Sequence, residues 1–84
     1  METYQERVGR YRILRHEELP DAHKAEYRLN GIDPDTLWSL VWSFDDEQSA
    51  IEQLAICIQH QPSYATHKIV DNGAPTFIER TAWF

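Results

Sequence analysis

The sequence has one cysteine, three scattered glycines and no long apolar run, and each scarcity excludes something. With Cys57 alone, no disulfide can close within the chain, which suits a reducing cytosol. Gly9, Gly31 and Gly73 stand too far apart for a phosphate-cradling GxGxxG or GKT/GKS loop. No stretch approaches the roughly 20 apolar residues of a membrane span. The opening METYQERVGRYR lacks the apolar segment of a secretory signal. These features give the expectation of a cytoplasmic protein. There is no internal repeat and no low-complexity tract.

The most uneven absence is positive charge. No lysine or arginine occurs between Arg28 and Lys68, while Asp33, Asp35, Asp45, Asp46, Glu47 and Glu52 all fall there. Residues 1–32 hold six acids and six bases, which cancel; residues 33–84 hold eight acids against Lys68 and Arg80. Such asymmetry bears on partners rather than on fold.

What remains is the composition of a folded chain: 84 residues, 42% hydrophobic, with three Trp, four Tyr and three Phe. One small domain over residues 1–84 is expected. A chain of this size buries only about 60 to 65% of its surface, so its core is thin.

Turn signals cut the chain into short pieces. Residues 8–15 alternate, with Gly9, Tyr11 and Ile13 on one face, and read as a first strand. Residues 24–29 alternate as Lys-Ala-Glu-Tyr-Arg-Leu and read as a second, ending at an Asn30-Gly31 turn. Residues 36–44 fit either a strand or a helix capped by Asp33. The aromatic and β-branched content, with Trp38, Leu40, Trp42 and Phe44 at every second position, favours a strand.

A helix should follow from Asp45 or Asp46 to His60. Asp45 and Gln48 have the spacing of a capping box, and acids suit the positive end of the helix dipole. Ile51, Leu54, Ala55 and Ile58 form an apolar stripe, while Ile56 lies on the polar side. Pro62 stops the helix. Residues 64–70 and 76–84 complete the set as strands. The expected fold is α+β in the order βββαββ, one helix on a five-stranded, mainly antiparallel sheet. Trp38 and Trp42 would lie beneath the helix with Tyr11, Ile13, Tyr27 and Leu29.

No constellation for catalysis emerges. His16 and His23 are seven apart, as are His60 and His67; no HExxH or cysteine pair accompanies them. Cys57 has no basic neighbour to stabilise a thiolate and reads as a small buried residue. No enzyme, metal or cofactor is expected. Arg10, Arg12, Lys24 and Arg28 would share the open sheet face, which could meet RNA or DNA, or simply be a solvated mixed-charge surface.

The acids carry more content. Asp45, Asp46 and Glu47 cluster at the helix start, Glu52 extends the patch, and Asp33 with Asp35 forms a second one before the third strand. They could serve only solvation and the helix dipole. They could also match the potential of a groove lined by lysine and arginine. Ile56, Trp83 and Phe84 are apolar residues without an evident core position, and exposed aromatics of this kind anchor interfaces, including homodimers.

The chain resembles, in size, acidity, single domain and the handover Trp42-Ser43-Phe44-Asp45-Asp46-Glu47, the small anti-CRISPR proteins of phages and mobile elements. That resemblance implies a non-enzymatic inhibitor that binds a CRISPR effector complex and blocks its target-DNA site, with carboxylates standing in for phosphates. The alternatives are a small RNA- or DNA-binding module and a homodimeric structural domain.

Overall fold

Residues Asp21–Leu29 are dominated by Ala, Lys, Glu, Arg and Leu, all strong helix formers. In the computed structural model, which describes residues 1–83, they form helix α1 (Asp21–Leu29) rather than the expected strand. A six-residue alternation cannot by itself exclude a short helix, and local propensity decided the outcome. The helix closes with Gly31 at φ 77°, where the amides of Gly31 and Ile32 return to the carbonyls of Arg28 and Tyr27. This paired closure uses glycine's access to the left-handed region.

The full order is β1 (Glu2–Val8), β2 (Tyr11–Glu17), α1, a 3-10 turn (Pro34–Thr36), β3 (Ser39–Phe44), α2 (Glu47–His60), β4 (Ala65–Asp71) and β5 (Thr76–Ala82). The fold is therefore α+β with antiparallel strands, as expected. Among the described residues it has two helices instead of one, and two sheets instead of a single five-stranded one. Strand β2 is central in a three-stranded sheet, flanked by β3 and β4. Strand β1, which the sequence did not announce, pairs with β5 in a separate ribbon from Glu2 opposite Ala82 to Val8 opposite Thr76.

Helix α2 lies on the three-stranded sheet against β4, β2 and β3. Its inward side is Ala50, fully buried, with Leu54 and Cys57 half-buried. Ile51, Ala55 and Ile58, expected to face inward, are exposed. The helix is rolled relative to the stripe read from the sequence. Among the described residues, the buried apolar side chains are Val8, Ile13, Ala50 and Ala65, together with Pro34 of the 3-10 turn. Tyr27 and Leu29, expected in the core, are exposed on α1.

A register step explains the fate of the two tryptophans. Ile13 lies opposite Trp42, but Leu14 lies opposite Leu40, so Val41 is an extra residue in β3. A bulge of one residue reverses which side chains share a face. Trp42, directly opposite Ile13, keeps the helix-bearing face, where it stays half-exposed at 49%, while the step moves Leu40 and Trp38 off that face. Trp38, just before β3, packs its ring against His16 with 5.2 Å between centroids and takes the Lys68 ammonium 4.1 Å from its own centroid. His16 and Lys68 belong to the opposite face by the register. The two tryptophans do not form one core under the helix.

Gly9 joins β1 to β2 where the chain passes close to the end of β3. A Cβ there would lie 2.6 Å from the Phe44 carbonyl oxygen and 2.7 Å from its carbon. No helix among the described residues is long and apolar enough to cross a membrane.

Candidate functional site

The acids that open α2 have divided roles. Asp46 is the cap: its Oδ2 accepts from the Ser49 amide at 2.8 Å, and this bond holds its carboxyl below the ordinary range. The cap pair is thus Asp46 with Ser49, one residue later than the Asp45 and Gln48 spacing suggested. Asp45 pairs with Arg7 of the ribbon, at 2.9 Å from Oδ1. Both partners are exposed, and such pairs contribute little to stability. Glu47 and Glu52 are exposed, and no cation pairs with either among the described residues. Gln48 donates to Glu52 at 3.2 Å.

The second acid patch is partly structural too. Asp33 caps the 3-10 turn by accepting from the Asp35 amide at 3.0 Å. Asp35 is exposed and lies near His16 and Glu18, with donor atoms of all three within 4.8 Å of one another. His16 Nδ1 is 2.9 Å from the Leu37 carbonyl, and Glu18 is held by Lys24. Such donors suit a divalent cation in kind, but one of the carboxylates already has a cation and two of the three residues are exposed. The sequence reading passed over this group because it weighed histidine pairs rather than a single histidine with carboxylates from a distant turn. The two acid patches precede and follow β3, so they stand at its opposite ends as expected.

Beside the acids, α2 and β3 enclose a shallow groove of about 310 Å³. Val41, Trp42, Ile56 and Cys57 give it an apolar lining, with His60 and His67 among its polar residues. Ile56 is 50% exposed, and lies one turn beyond Glu52 on the same side of α2. Trp42, opposite Ile13, thus gives Ile56 a companion, and the bulge sets Val41 beside it. Arg15 also lines the groove. Its guanidinium bonds Glu17 at 2.7 Å, while its Nε is buried with no partner among the described residues. A buried donor left unpaired is costly, so an acceptor supplied from outside would be favoured there. Sequence reasoning named Ile56 as a contact residue and placed Trp42 beneath the helix, but missed Arg15 and Val41, the latter brought beside Trp42 by the bulge.

The proposed basic stripe is not assembled. Arg10 forms a two-pronged pair with Asp71, at 2.7 and 2.9 Å. That bond, with help from the Gly73 amide, lowers the Asp71 carboxyl to about 2 and raises the Arg10 guanidinium. Arg12 donates to the Gly9 carbonyl and to Thr76. Lys24 and Arg28 sit on α1, because the second strand proved to be a helix. Trp83 is 79% exposed just beyond β5. Phe84, named with it as a contact residue, lies outside the described residues.

No protein-family model matches the chain, and no curated protein or solved structure compared with it does either.

Proposed function

We propose that this chain is a non-enzymatic protein-binding inhibitor that engages a basic, nucleic-acid-binding surface of another protein in the cytosol of a host cell. In its most specific form the partner is a CRISPR effector complex, and the bound chain keeps target DNA out. One observation carries the reading. Glu52, with no cation paired to it among the described residues, stands one turn before Ile56 on α2, beside a groove with half-exposed Trp42 and an Arg15 Nε that has no partner there, while equally uncompensated Glu47 is exposed on the other side of the helix start. Acids supply attraction and orientation toward lysine and arginine, and the groove supplies the desolvated anchor that charge alone does not. Asp45 can exchange Arg7 for a partner's arginine at small cost, since its present pair is exposed. Asp33 and Asp35 would form a separate contact at the far end of β3. Ile56 belongs to the main surface, whereas Trp83 stands on the ribbon.

The structure shapes the test. Asp46 is left intact, because its side chain caps the helix. Asp45→Lys, Glu47→Lys and Glu52→Lys are combined, and binding to a purified CRISPR effector complex is measured by surface plasmon resonance at several salt concentrations. Affinity should fall at least about tenfold, a loss of about 1.4 kcal/mol, and wild-type binding should weaken with salt. A folded triple variant that binds as tightly as wild type would overturn the acidic surface. Equal failure of wild type and variant to bind any such complex would overturn the inhibitor reading.

A further inference from the structure

The β1–β5 ribbon is built like half of an interface. A two-stranded ribbon alone is marginal in water; it needs further strands, or a helix against one face. Here it meets the rest of the chain at its base, through buried Val8, the Arg12 bond to Thr76 and the Arg7 pair with Asp45. Further out, both faces lack cover among the described residues. By the register, Tyr4 lies on one face and Phe77 on the other, at 51% and 65% exposure. Trp83 continues the exposed apolar surface beyond β5.

The whole molecule shows the same shortage of burial. Its accessible surface is 6192 Å² for a mass of 9.9 kDa. A folded monomer of that mass exposes about 5,200 Å². The excess, about 1,000 Å², is close to the roughly 800 Å² that each partner loses in a standard interface. The radius of gyration, 15.2 Å, exceeds the value of about 12 Å for a compact domain of this length.

We infer that the ribbon is the seam of a homodimer, in which the β1–β5 ribbons of two copies pack against each other across a two-fold axis through the face that carries Tyr4, Ile78 and the Glu6–Arg80 pair. Charge selects the ribbon over α2 for this role. The chain carries −6, which repels a second copy. The ribbon contributes little of it: Glu2, Glu6 and Glu79 against Arg7 and Arg80, with Glu6 and Arg80 already paired at 2.7 Å. The exposed apolar stripe of α2, in contrast, lies among Glu47 and Glu52 with no basic residue other than His60 on the helix. Two such helices would bring like charges together; two ribbons would bring together aromatics and neutralised pairs. The dimer leaves the groove and the acids of α2 free, so it stands whether or not the inhibitor reading holds.

The test is sedimentation equilibrium of the intact chain, joined to hydrogen exchange followed by mass spectrometry. The expected mass is about 20 kDa, twice the single-chain value, and Tyr4→Glu with Ile78→Glu should return it to one copy. In wild-type protein, dilution should speed exchange of the β1 and β5 amides and leave β2 and α2 unchanged. This second readout holds even if the double variant unfolds. A single-copy mass at every concentration overturns the proposal, and fast ribbon exchange there would mean that a different protein completes the ribbon. A dimer whose dilution-sensitive amides lie in α2 overturns the assignment of the seam. So does a ladder of larger species, which indicates open edge-to-edge stacking.

Discussion

Gly9→Ala tests the junction that places the acidic end of α2. The added methyl group would sit 2.6 Å from the Phe44 carbonyl oxygen and 2.7 Å from its carbon, against an optimum near 3.5 to 4.0 Å. The obstacle is backbone, so no rotamer change relieves it. Either the β1–β2 junction or the end of β3 must move by up to about 1 Å, and overpacking of this kind costs about 1 to 3 kcal/mol. With backbone as the obstacle, the upper part of that range applies. Losing the freedom of a glycine in the unfolded chain returns about 0.4 to 1 kcal/mol. The net cost is about 1 to 2.5 kcal/mol. The unfolding entropy of 84 residues is about 180 cal/mol/K, so Tm should fall by about 6 to 14 °C. Circular dichroism melts of wild type and variant in the same buffer give the number. The amide resonances of Asp45, Asp46 and Glu47, which follow Phe44 directly, should shift as well. A variant that melts at or above the wild-type temperature would refute the close approach, and with it the placement of α2 relative to the ribbon.

Two further outcomes follow from the side-chain geometry. Asp46→Ala removes the helix cap and should lower Tm by about 4 to 8 °C in a thermal melt, while Asp45→Asn, which loses only an exposed pair, should leave it nearly unchanged. The Asp71 carboxyl is lowered in the folded chain, so its contribution to stability is full above its ordinary value of 3.8 and is lost as pH falls toward about 2. Asp71→Asn should therefore flatten that part of a stability-against-pH curve from urea titrations, and Arg10→Gln should do the same.

Much of the fold's class was legible because its signals are local. The β3–α2 handover and the stop at His60 followed from an aromatic alternation, a capping acid and a proline. The α1 region misled because six residues of alternation also satisfy a helix, and the helix formers at Ala22, Lys24, Ala25, Glu26 and Arg28 outweighed it. The ribbon was hidden for a different reason. Its pairing joins the two ends of the chain, and β1 has little apolar periodicity to announce it. The acids were easy to find, but their duties were not. A sequence does not say which of Asp45 and Asp46 turns inward to cap and which meets an arginine on another strand. The groove depended on the bulge at Val41, a step of one residue that composition does not signal.

That bulge has a practical consequence. By leaving Trp42 on one face of the sheet and sending Trp38 to the other, it separates the two indoles, while Trp83 follows the end of the ribbon. Each of the three tryptophans therefore reports on a different region: Trp42 on the groove, Trp38 on the Lys68 side and Trp83 near the proposed dimer seam. Replacing them singly by phenylalanine would turn the chain's own fluorescence into a map of where a second molecule lands, with no label attached.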